Sequence, residues 1–311
     1  MKTIYLHIGY HKTATTFLQR IIFPKLKQLN YINKTGEALK RMNQIRTKKL
    51  TKKEIESFRK FINKKDNGKP ILISNEGFSG NPLHSKKTKK QFEVLEDLRK
   101  IFPPSEFDVH IIVGIREQVS LLTSLYLQYI KMGGVLDGSS FIEHCQQIGV
   151  LENFNFFHTL HKIEELFGRD RMYVMVYERF RDQFRDELLQ LLNYMGEKEI
   201  PVYKDEEQLR NKSLGQLQLT VTRRLNKLFK TSFNPQGKFS FIEVPGLGTL
   251  TPRRLIQNKW SNRIHYKSYR FPMDRQTAIK ERYETGNRRL SEVYNISLPE
   301  NYYSGTTENE N

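Results

Sequence analysis

A short apolar strand that runs directly into a helix is the feature that most constrains the fold of this chain. Residues 4–19 read IYLHIGYHKTATTFLQ, and a loop around Lys12 joins the two elements. At the amino terminus of a helix the first backbone N–H groups lack partners and the helix dipole is positive, so a phosphate or sulfate binds there readily. We interpret this loop as an anion site, to which Lys12 adds a cation and Thr13, Thr15 and Thr16 add hydroxyl groups.

The loop lacks the pattern of a nucleotide triphosphatase. The Walker A motif has a glycine immediately before its lysine, whereas His11 stands at that position here. The wide loop that wraps a triphosphate is therefore missing, and the shorter loop suits a smaller 5′-terminal anion.

A second apolar run, residues 108–115 (DVHIIVGI), ends directly at Arg116. Its β-branched residues predict a buried parallel strand, and apolar residues at three- and four-residue steps predict a helix after it. Ser124 lies in that helix, eight residues after Arg116. The planar guanidinium of an arginine can bind two phosphate oxygens at once, so Arg116 is a candidate phosphate ligand.

A third strand-like run, residues 70–74 (PILIS), is followed by Asn75, Glu76 and Gly77. Ligands of open α/β sheets collect at the carboxyl ends of the strands. We therefore expect the anion loop, the Glu76 carboxylate and Arg116 to meet at one edge of a sheet. Glu76 has a simpler alternative explanation, as an acid that starts a helix and complements its dipole.

Two of these segments resemble a known family. Residues 11–18 (HKTATTFL) are similar to the 5′-phosphosulfate loop, Lys-Ser/Thr-Gly-Thr-Thr, of sulfotransferases that use 3′-phosphoadenosine 5′-phosphosulfate (PAPS), in particular the bacterial, carbohydrate-type P-loop members. Arg116 and Ser124, with Tyr126 after them, resemble the pair that binds the 3′-phosphate of PAPS in that family. Ala14 replaces the family's glycine, and we expect it to have a negative φ in the first helical turn.

The resemblance implies PAPS as donor, no metal, and specific roles for the site residues. Lys12 would stabilise the leaving phosphate, and Glu76 would take the acceptor's proton, as an acid after this strand does in many family members. His11 is the second candidate for the base, and the choice between the two stays open. The cofactor-binding residues implied are Lys12, Thr13, Ala14, Thr15, Thr16, Arg116 and Ser124.

Weaker segments also resemble the family. Residues 211–214 (NKSL) and the closing helix around 281–290 are similar to segments of bacterial members, whereas the family's third cofactor loop has no clear match. The acceptor implied is a carbohydrate or glycolipid, bound through a hydroxyl or amine.

Alternatives from other functional classes remain. A P-loop kinase would share the strand, the loop and Lys12, but should have a full Walker A loop and an aspartate where Arg116 ends its strand. A non-enzymatic basic protein that binds acidic glycan or nucleic acid would explain the charge alone. Individual residues also have ordinary explanations: Lys12 as a surface lysine, Ser124 as a packing residue and His7 as a buried core histidine.

The charge balance is strongly basic, with 52 Lys and Arg against 34 Asp and Glu, a net charge of +18. No homeodomain, zinc-finger or RNA-recognition signature accompanies these residues, so we expect no specific nucleic-acid partner. The charge suits solvated helix faces, attraction of PAPS, or peripheral contact with an anionic acceptor at a membrane surface. The sequence shows no metal-binding motif, and Cys145, the only cysteine, excludes an intrachain disulfide.

Strands that alternate with helices predict the α/β class, with a P-loop-type parallel sheet flanked by helices in a single domain that has helical C-terminal additions. We expect this sulfotransferase domain at 1–301, with a substrate-covering loop region or an ordinary surface excursion at 231–273, and a polar tail at 302–311. The strand directly after Lys2 and the lack of a long apolar run predict a soluble, bacterial-type cytoplasmic protein. The predicted strands are 2–8, 70–74, 108–115 and 171–177, and the predicted helices are 13–29, 51–64, 86–101, 117–131, 154–167, 179–195, 214–229 and 274–294.

Overall fold

A parallel sheet of five strands organises the computed structural model, which describes residues 1–83, 88–204, 215–240, 242–244, 248–250 and 268–304. The strands are β1 (Lys2–His7), β2 (Asn30–Ile32), β3 (Ile71–Ser74), β4 (Phe107–Ile115) and β5 (Met172–Val176). Their order in the sheet is β2-β3-β1-β4-β5, and each neighbouring pair is parallel. The predicted α/β class, with a parallel sheet flanked by helices, is confirmed.

The sheet forms because its central strands can be buried on both faces. All four residues of β3 and the last five of β4 are buried, and these runs are rich in Ile and Val. A parallel sheet needs helices on both faces, so continuous apolar runs of this kind are its usual sequence signature. In register, His7 of β1 lies beside Ser74 of β3 and Ile112 of β4, which aligns the carboxyl ends of the central strands.

Helices connect the strands and close the chain. Thr51 begins one of them through a capping box, in which its hydroxyl accepts from the N–H of Glu54 while the Glu54 carboxylate accepts from the Thr51 N–H. The helices are α1 (Thr15–Phe17), α2 (Gly36–Thr47), α3 (Lys52–Lys64), α4 (Gln91–Ile101), α5 (Gln118–Lys131), α6 (Gly138–Gln147), α7 (Phe156–Phe167), α8 (Tyr177–Asp182), α9 (Phe184–Tyr194), α10 (Gln216–Asn226) and α11 (Met273–Tyr294). Among the described residues, no helix is long and apolar enough to cross a membrane.

The chain groups into two compact units. The first comprises Met1–Gln118, Val150–Leu209 and Lys280–Asn311, and it contains the five-stranded sheet. The second comprises Val119–Gly149 and Arg210–Ile279. Within the second unit an aromatic cluster forms the core, where the Tyr126 ring lies 5.3 Å from that of Phe141 and 5.0 Å from that of Tyr269.

Several predicted boundaries are wrong. The helix expected at 13–29 is instead the three-residue α1, a π-helical turn (Leu18–Ile22) and a 3-10 turn (Phe23–Lys25), where Pro24 lacks the N–H needed to continue. The sequence analysis also missed β2, α2 and α6.

The C-terminal predictions are only partly covered by the described residues. In the 231–273 region the structure describes an antiparallel pair, β6 (Ile242–Val244) and β7 (Gly248–Leu250), whereas 251–267 lie outside the described residues, as do 211–214. Tyr302, predicted to begin the tail, is buried and donates a hydrogen bond to Glu178, and 305–311 lie outside the described residues.

Candidate active site

The loop after β1 has three residues in the left-handed region of backbone conformation. Gly9, Lys12 and Ala14 have φ values of 62°, 69° and 60°. The expectation of a negative φ at Ala14 is therefore wrong. Ala14 does not lie in the first helical turn but precedes it, and its carbonyl accepts the N–H groups of Phe17 and Leu18. A residue with a Cβ pays a steric cost of roughly 1–2 kcal/mol in this conformation, which explains why a glycine suits the position.

Hydroxyl groups inside the loop close it on itself. The Thr13 hydroxyl donates to the carbonyl of Tyr10 at 2.6 Å and accepts the Tyr10 N–H at 3.3 Å. The Thr15 hydroxyl contacts the same carbonyl at 3.4 Å. Thr13 and Thr15 are buried and Thr16 is exposed. Two of the three predicted hydroxyl donors therefore stabilise the loop, and their backbone N–H groups remain the candidates for an anion.

Tyr10 anchors the loop to the body of the first unit. Its side chain is buried, and its hydroxyl group contacts the carbonyl of Asn153 at 2.7 Å, the hydroxyl of Thr159 at 2.8 Å and Nε2 of Gln91 at 2.7 Å. A buried hydroxyl with this many partners fixes its ring because each lost hydrogen bond would leave a desolvated polar atom. These hydrogen bonds attach the base of the loop to α4, α7 and the carbonyl of Asn153.

The same loop lies directly against the end of β3. A Cβ added at Gly9 would lie 3.0 Å from the Thr15 hydroxyl oxygen and 3.3 Å from Cβ of Glu76. Nε2 of His11 lies 2.9 Å from the carbonyl oxygen of Gly80, which follows Glu76 by one 3-10 turn. The structure thus brings Lys12, His11 and Glu76 together at the carboxyl edge of the sheet.

The Glu76 carboxylate is half-buried and bound from two other elements. Nζ of Lys34, just after β2, lies 3.3 Å from both carboxylate oxygens, and Nε2 of Gln19 donates to Oε2 at 3.1 Å. Burial by itself would raise the pKa of Glu76, but Lys34, the residue's own N–H, His11 and Gln19 outweigh it and lower the pKa to about 2. Glu76 is therefore ionised at neutral pH. Its contact with its own N–H agrees with the alternative of a helix-starting acid, and the contacts with Lys34 and Gln19 go beyond it.

His11 is neutral and has a defined tautomer. A carbonyl oxygen can only accept, so the contact with Gly80 places the proton on Nε2 and leaves the lone pair of Nδ1 available. Burial lowers the pKa of His11, aided by Arg46 and Lys12 and opposed by the Gly80 carbonyl and Glu76. His11 therefore has the protonation state that a base requires, as Glu76 does.

Arg116, immediately after β4, connects to the other side of the loop. Its Nη1 donates to the carbonyl of Lys12 at 3.0 Å, and its guanidinium lies 4.3 Å from the centre of the Tyr177 ring. Behind it, β4 makes room for the loop at Gly114, where an added Cβ would lie 2.7 Å from Oγ1 of Thr13. The ends of β3 and β4 thus hold the loop between them.

The remaining predicted residues have simpler settings. Ser124 lies in α5, in the second unit, and is half-buried, so its part in a phosphate site stays a prediction. His7 is buried, as expected, with Nδ1 2.7 Å from Oγ of Ser74, and burial lowers its pKa to about 4 despite the opposing charge of Glu76. Among the described residues, no group of three or more His, Cys, Asp or Glu side chains could hold a metal ion.

Three residues around Glu76 were missed by the sequence analysis. Gln19 lies one helical turn after Thr15, and that four-residue spacing could have indicated it. Lys34 follows β2, a strand of only three residues that was not predicted. Arg46, at the end of α2, lies against the backbone of Gly77, where an added Cβ would come 2.0 Å from its Nε.

Comparisons with known proteins relate this chain to others through the fold alone. No protein-family model matches the sequence, and no curated protein matches it either. The structure is similar to the crystal structure of a sulfotransferase from Alicyclobacillus acidocaldarius, with a TM-score of 0.55 and 10% identity over 96% of this chain and 98% of that one. The chain therefore has the sulfotransferase fold.

Two further solved structures align less closely. A sulfotransferase domain from the curacin biosynthetic pathway has a TM-score of 0.41 and 12% identity, covering 96% of this chain and 98% of that one. A mouse sulfotransferase complexed with PAP has a TM-score of 0.39 and 15% identity, covering 94% and 88%.

Proposed function

We propose that this protein is a PAPS-dependent sulfotransferase, which moves a sulfuryl group from PAPS to a hydroxyl or amine of an acceptor. The observation that carries the proposal is the position of the loop after β1. It is held between the ends of β3 and β4, with Glu76 on one side and Arg116 on the other. A helix-terminal anion site, a carboxylate and a guanidinium at one sheet edge are the parts that a PAPS site needs.

The donor would bind through both of its phosphate ends. The backbone N–H groups of residues 13–16, in the loop and at the start of α1, would hold the 5′-phosphate, because N–H groups at the amino terminus of a helix favour an anion. Arg116, with Ser124, would bind the 3′-phosphate through charge-assisted hydrogen bonds. PAP, the product, has the same two phosphate groups and should bind in the same way.

The reaction would be an in-line displacement at sulfur. The acceptor oxygen forms a bond to sulfur, the bond between sulfur and the 5′-phosphate oxygen breaks, and the acceptor proton passes to a base. Lys12 would stabilise the negative charge that develops on the leaving phosphate, which is where electrostatic catalysis is most effective. No step of this displacement calls for a metal.

Glu76 is the base that we propose, with His11 as the second candidate. A base of this kind contributes on the order of 10²–10⁴-fold to the rate. A carboxylate whose pKa is about 2 is a weak base, so it would accept the proton late, when the S–O bond to the acceptor is largely formed and the oxygen has become acidic. Before that point its main task would be to orient the acceptor hydroxyl.

The acceptor that we propose is a carbohydrate or glycolipid. A carboxylate base suits a sugar hydroxyl, and the net charge of +18 would attract an acidic glycan or bring the protein to an anionic membrane surface. We retain the expectation that the protein acts in a bacterial-type cytoplasm.

Transfer assays with two donors test the proposal against its alternatives. Sulfur-labelled PAPS and γ-phosphate-labelled ATP would be incubated in parallel with polysaccharides, glycolipids, small alcohols and amines. We expect label to move from PAPS only, and to be lost in the Lys12→Ala variant. Transfer from ATP would support a kinase. If neither PAPS nor ATP is consumed, by transfer or by slow hydrolysis, and the protein binds any polyanion in a salt-sensitive way, the result would support a basic binding protein.

A further inference from the structure

The Glu76 carboxylate is held by side chains from two elements that the proposed mechanism does not use. Gln19 reaches it from the helical turn after the anion loop, and Lys34 reaches it from the end of β2. Both partners lie in the same compact unit as Glu76. The Lys34 contact is largely shielded from solvent, since the two side chains expose only 24% and 29% of their surface.

We propose that Lys34 and Gln19 are positioning residues for Glu76, which keep its carboxylate ionised and fix its orientation beside the loop after β1. The inference rests on the proposed function for the meaning of that carboxylate, but the contacts themselves do not depend on it. Neither residue needs to touch the reacting atoms for this role.

Gln19 fixes the orientation of the carboxylate. Its Nε2 donates to Oε2 of Glu76 at 3.1 Å and also contacts the carbonyl and hydroxyl oxygens of Ser74, at 3.3 and 2.9 Å. Because a carbonyl can only accept, these contacts define which end of the amide faces Glu76. The amide thereby joins the last residue of β3 to the carboxylate that follows it.

Lys34 places a positive charge beside Glu76 without occupying all the lone pairs of its carboxylate. Its Nζ is equidistant from the two oxygens, at 3.3 Å. These contacts are longer than the 2.7–2.9 Å of strong charge-assisted hydrogen bonds, so the ammonium acts mainly through its field. A carboxylate has about four lone-pair sites, and this looser contact leaves room for an acceptor hydroxyl.

Other charged and titratable groups near Glu76 do not replace Lys34. Arg46 and Tyr31 sense the Glu76 charge, and so do His7 and His11. The pKa values of the two histidines are lowered, mainly by burial, and the pKa of Tyr31 is raised, so none of the three carries charge at neutral pH. Arg46 is the remaining cation of this group, and it bonds Asn43 and packs over Gly77. Lys34 is the largest of the contributions that offset burial and lower the pKa of Glu76, so its removal should raise that pKa.

Carbon-detected NMR titration of carboxyl-labelled glutamate in the full chain tests this inference directly. The Glu76 signal is assigned as the one missing in the Glu76→Gln variant. We expect the Glu76 carboxyl to stay ionised down to about pH 4 in the wild type. In Lys34→Met its proton affinity should rise at least tenfold, which is a rise of about one unit in its pKa. Lys34→Arg should restore the wild-type titration, and Gln19→Ala should shift the signal by less than Lys34→Met does.

Lys49→Met is the matched control, because it removes the same charge from an exposed position after α2. It should leave the Glu76 titration unchanged. A Lys34→Met titration that matches the wild type would overturn the proposal, and so would an equal shift in Lys49→Met. Should Lys34→Met fail to fold by circular dichroism, Lys34→Gln gives the same comparison.

The same variants separate this inference from the proposed function. If PAPS is turned over, Lys34→Met should lower kcat and move the acid limb of the pH–rate profile upward, while KM for PAPS stays within about twofold. A shifted NMR titration in a protein that never turns over PAPS would keep the positioning role and reject the sulfotransferase reaction. Turnover of PAPS with an unshifted Glu76 titration in Lys34→Met would keep the sulfotransferase reaction and reject the positioning role.

Discussion

Replacing Ala14 by glycine tests the loop geometry through stability. At φ 60° the alanine side chain is strained by roughly 1–2 kcal/mol, which glycine would relieve. Glycine costs about 0.4–1 kcal/mol through the greater freedom of the unfolded chain. The lost methyl group, which packs partly against the core, costs roughly 0.5 kcal/mol, less than the 0.8 kcal/mol of a fully buried methylene. We therefore expect Ala14→Gly to change the free energy of unfolding by about −0.5 to +1 kcal/mol.

The matched control is the same substitution in an ordinary helix. Ala278 is an exposed residue of α11, where alanine to glycine should cost about 1 kcal/mol. Equilibrium unfolding in urea measures both variants, and we expect Ala14→Gly to be the more stable by roughly 0.5–2 kcal/mol. Equal destabilisation of the two variants would refute the left-handed conformation at Ala14.

Three other predictions follow from the site. Gly114→Ala should weaken PAP binding by at least tenfold in calorimetry without unfolding the protein, because its Cβ would lie 2.7 Å from Oγ1 of Thr13; unchanged affinity would contradict the packing of the loop on β4. Tyr10→Phe should lower the free energy of unfolding by about 1–3 kcal/mol, since it leaves Gln91 and Thr159 with lost partners, and a neutral effect in urea unfolding would count against that anchor. Glu76 has a folded-state pKa of about 2 against an ordinary 4.5, so its ionised form stabilises the fold above pH 4.5, and up to about 3 kcal/mol of that stability is lost as pH falls towards 2. The stability advantage of the wild type over Glu76→Gln should therefore shrink between pH 5 and 3 in urea unfolding, and a constant difference would contradict the ion pair.

Much of the sheet was predictable because its buried strands are continuous apolar runs. β3 and β4 were found in this way, and the residues that follow them gave Glu76 and Arg116. The weak strand β2 has only Asn30, Tyr31 and Ile32, too short a run to distinguish from a loop. Lys34 was missed for the same reason, since a residue at a strand end is recognised only when the strand is.

Other errors have different physical causes. The φ predicted for Ala14 was wrong because alanine gives no signal of a positive φ, whereas the glycine at this position in the resembling family does. Helix α2 was overlooked although Ala38, Met42 and Ile45 follow a helical spacing and are all buried. The charged residues between them obscured this pattern. The sequence therefore predicted the sheet edge where the candidate site lies, but it did not predict the side-chain contacts around Glu76.

Calorimetric binding of PAP and AMP is the most direct test of the central claim, that this edge of the sheet is a PAPS site. The two nucleotides differ only in the 3′-phosphate, and ATP serves as the comparison for a kinase. We expect PAP to bind much more tightly than AMP or ATP, with that preference lost in Arg116→Ala and binding of both weakened in Lys12→Ala. Equal affinity for PAP and AMP, or a preference for ATP, would contradict the account.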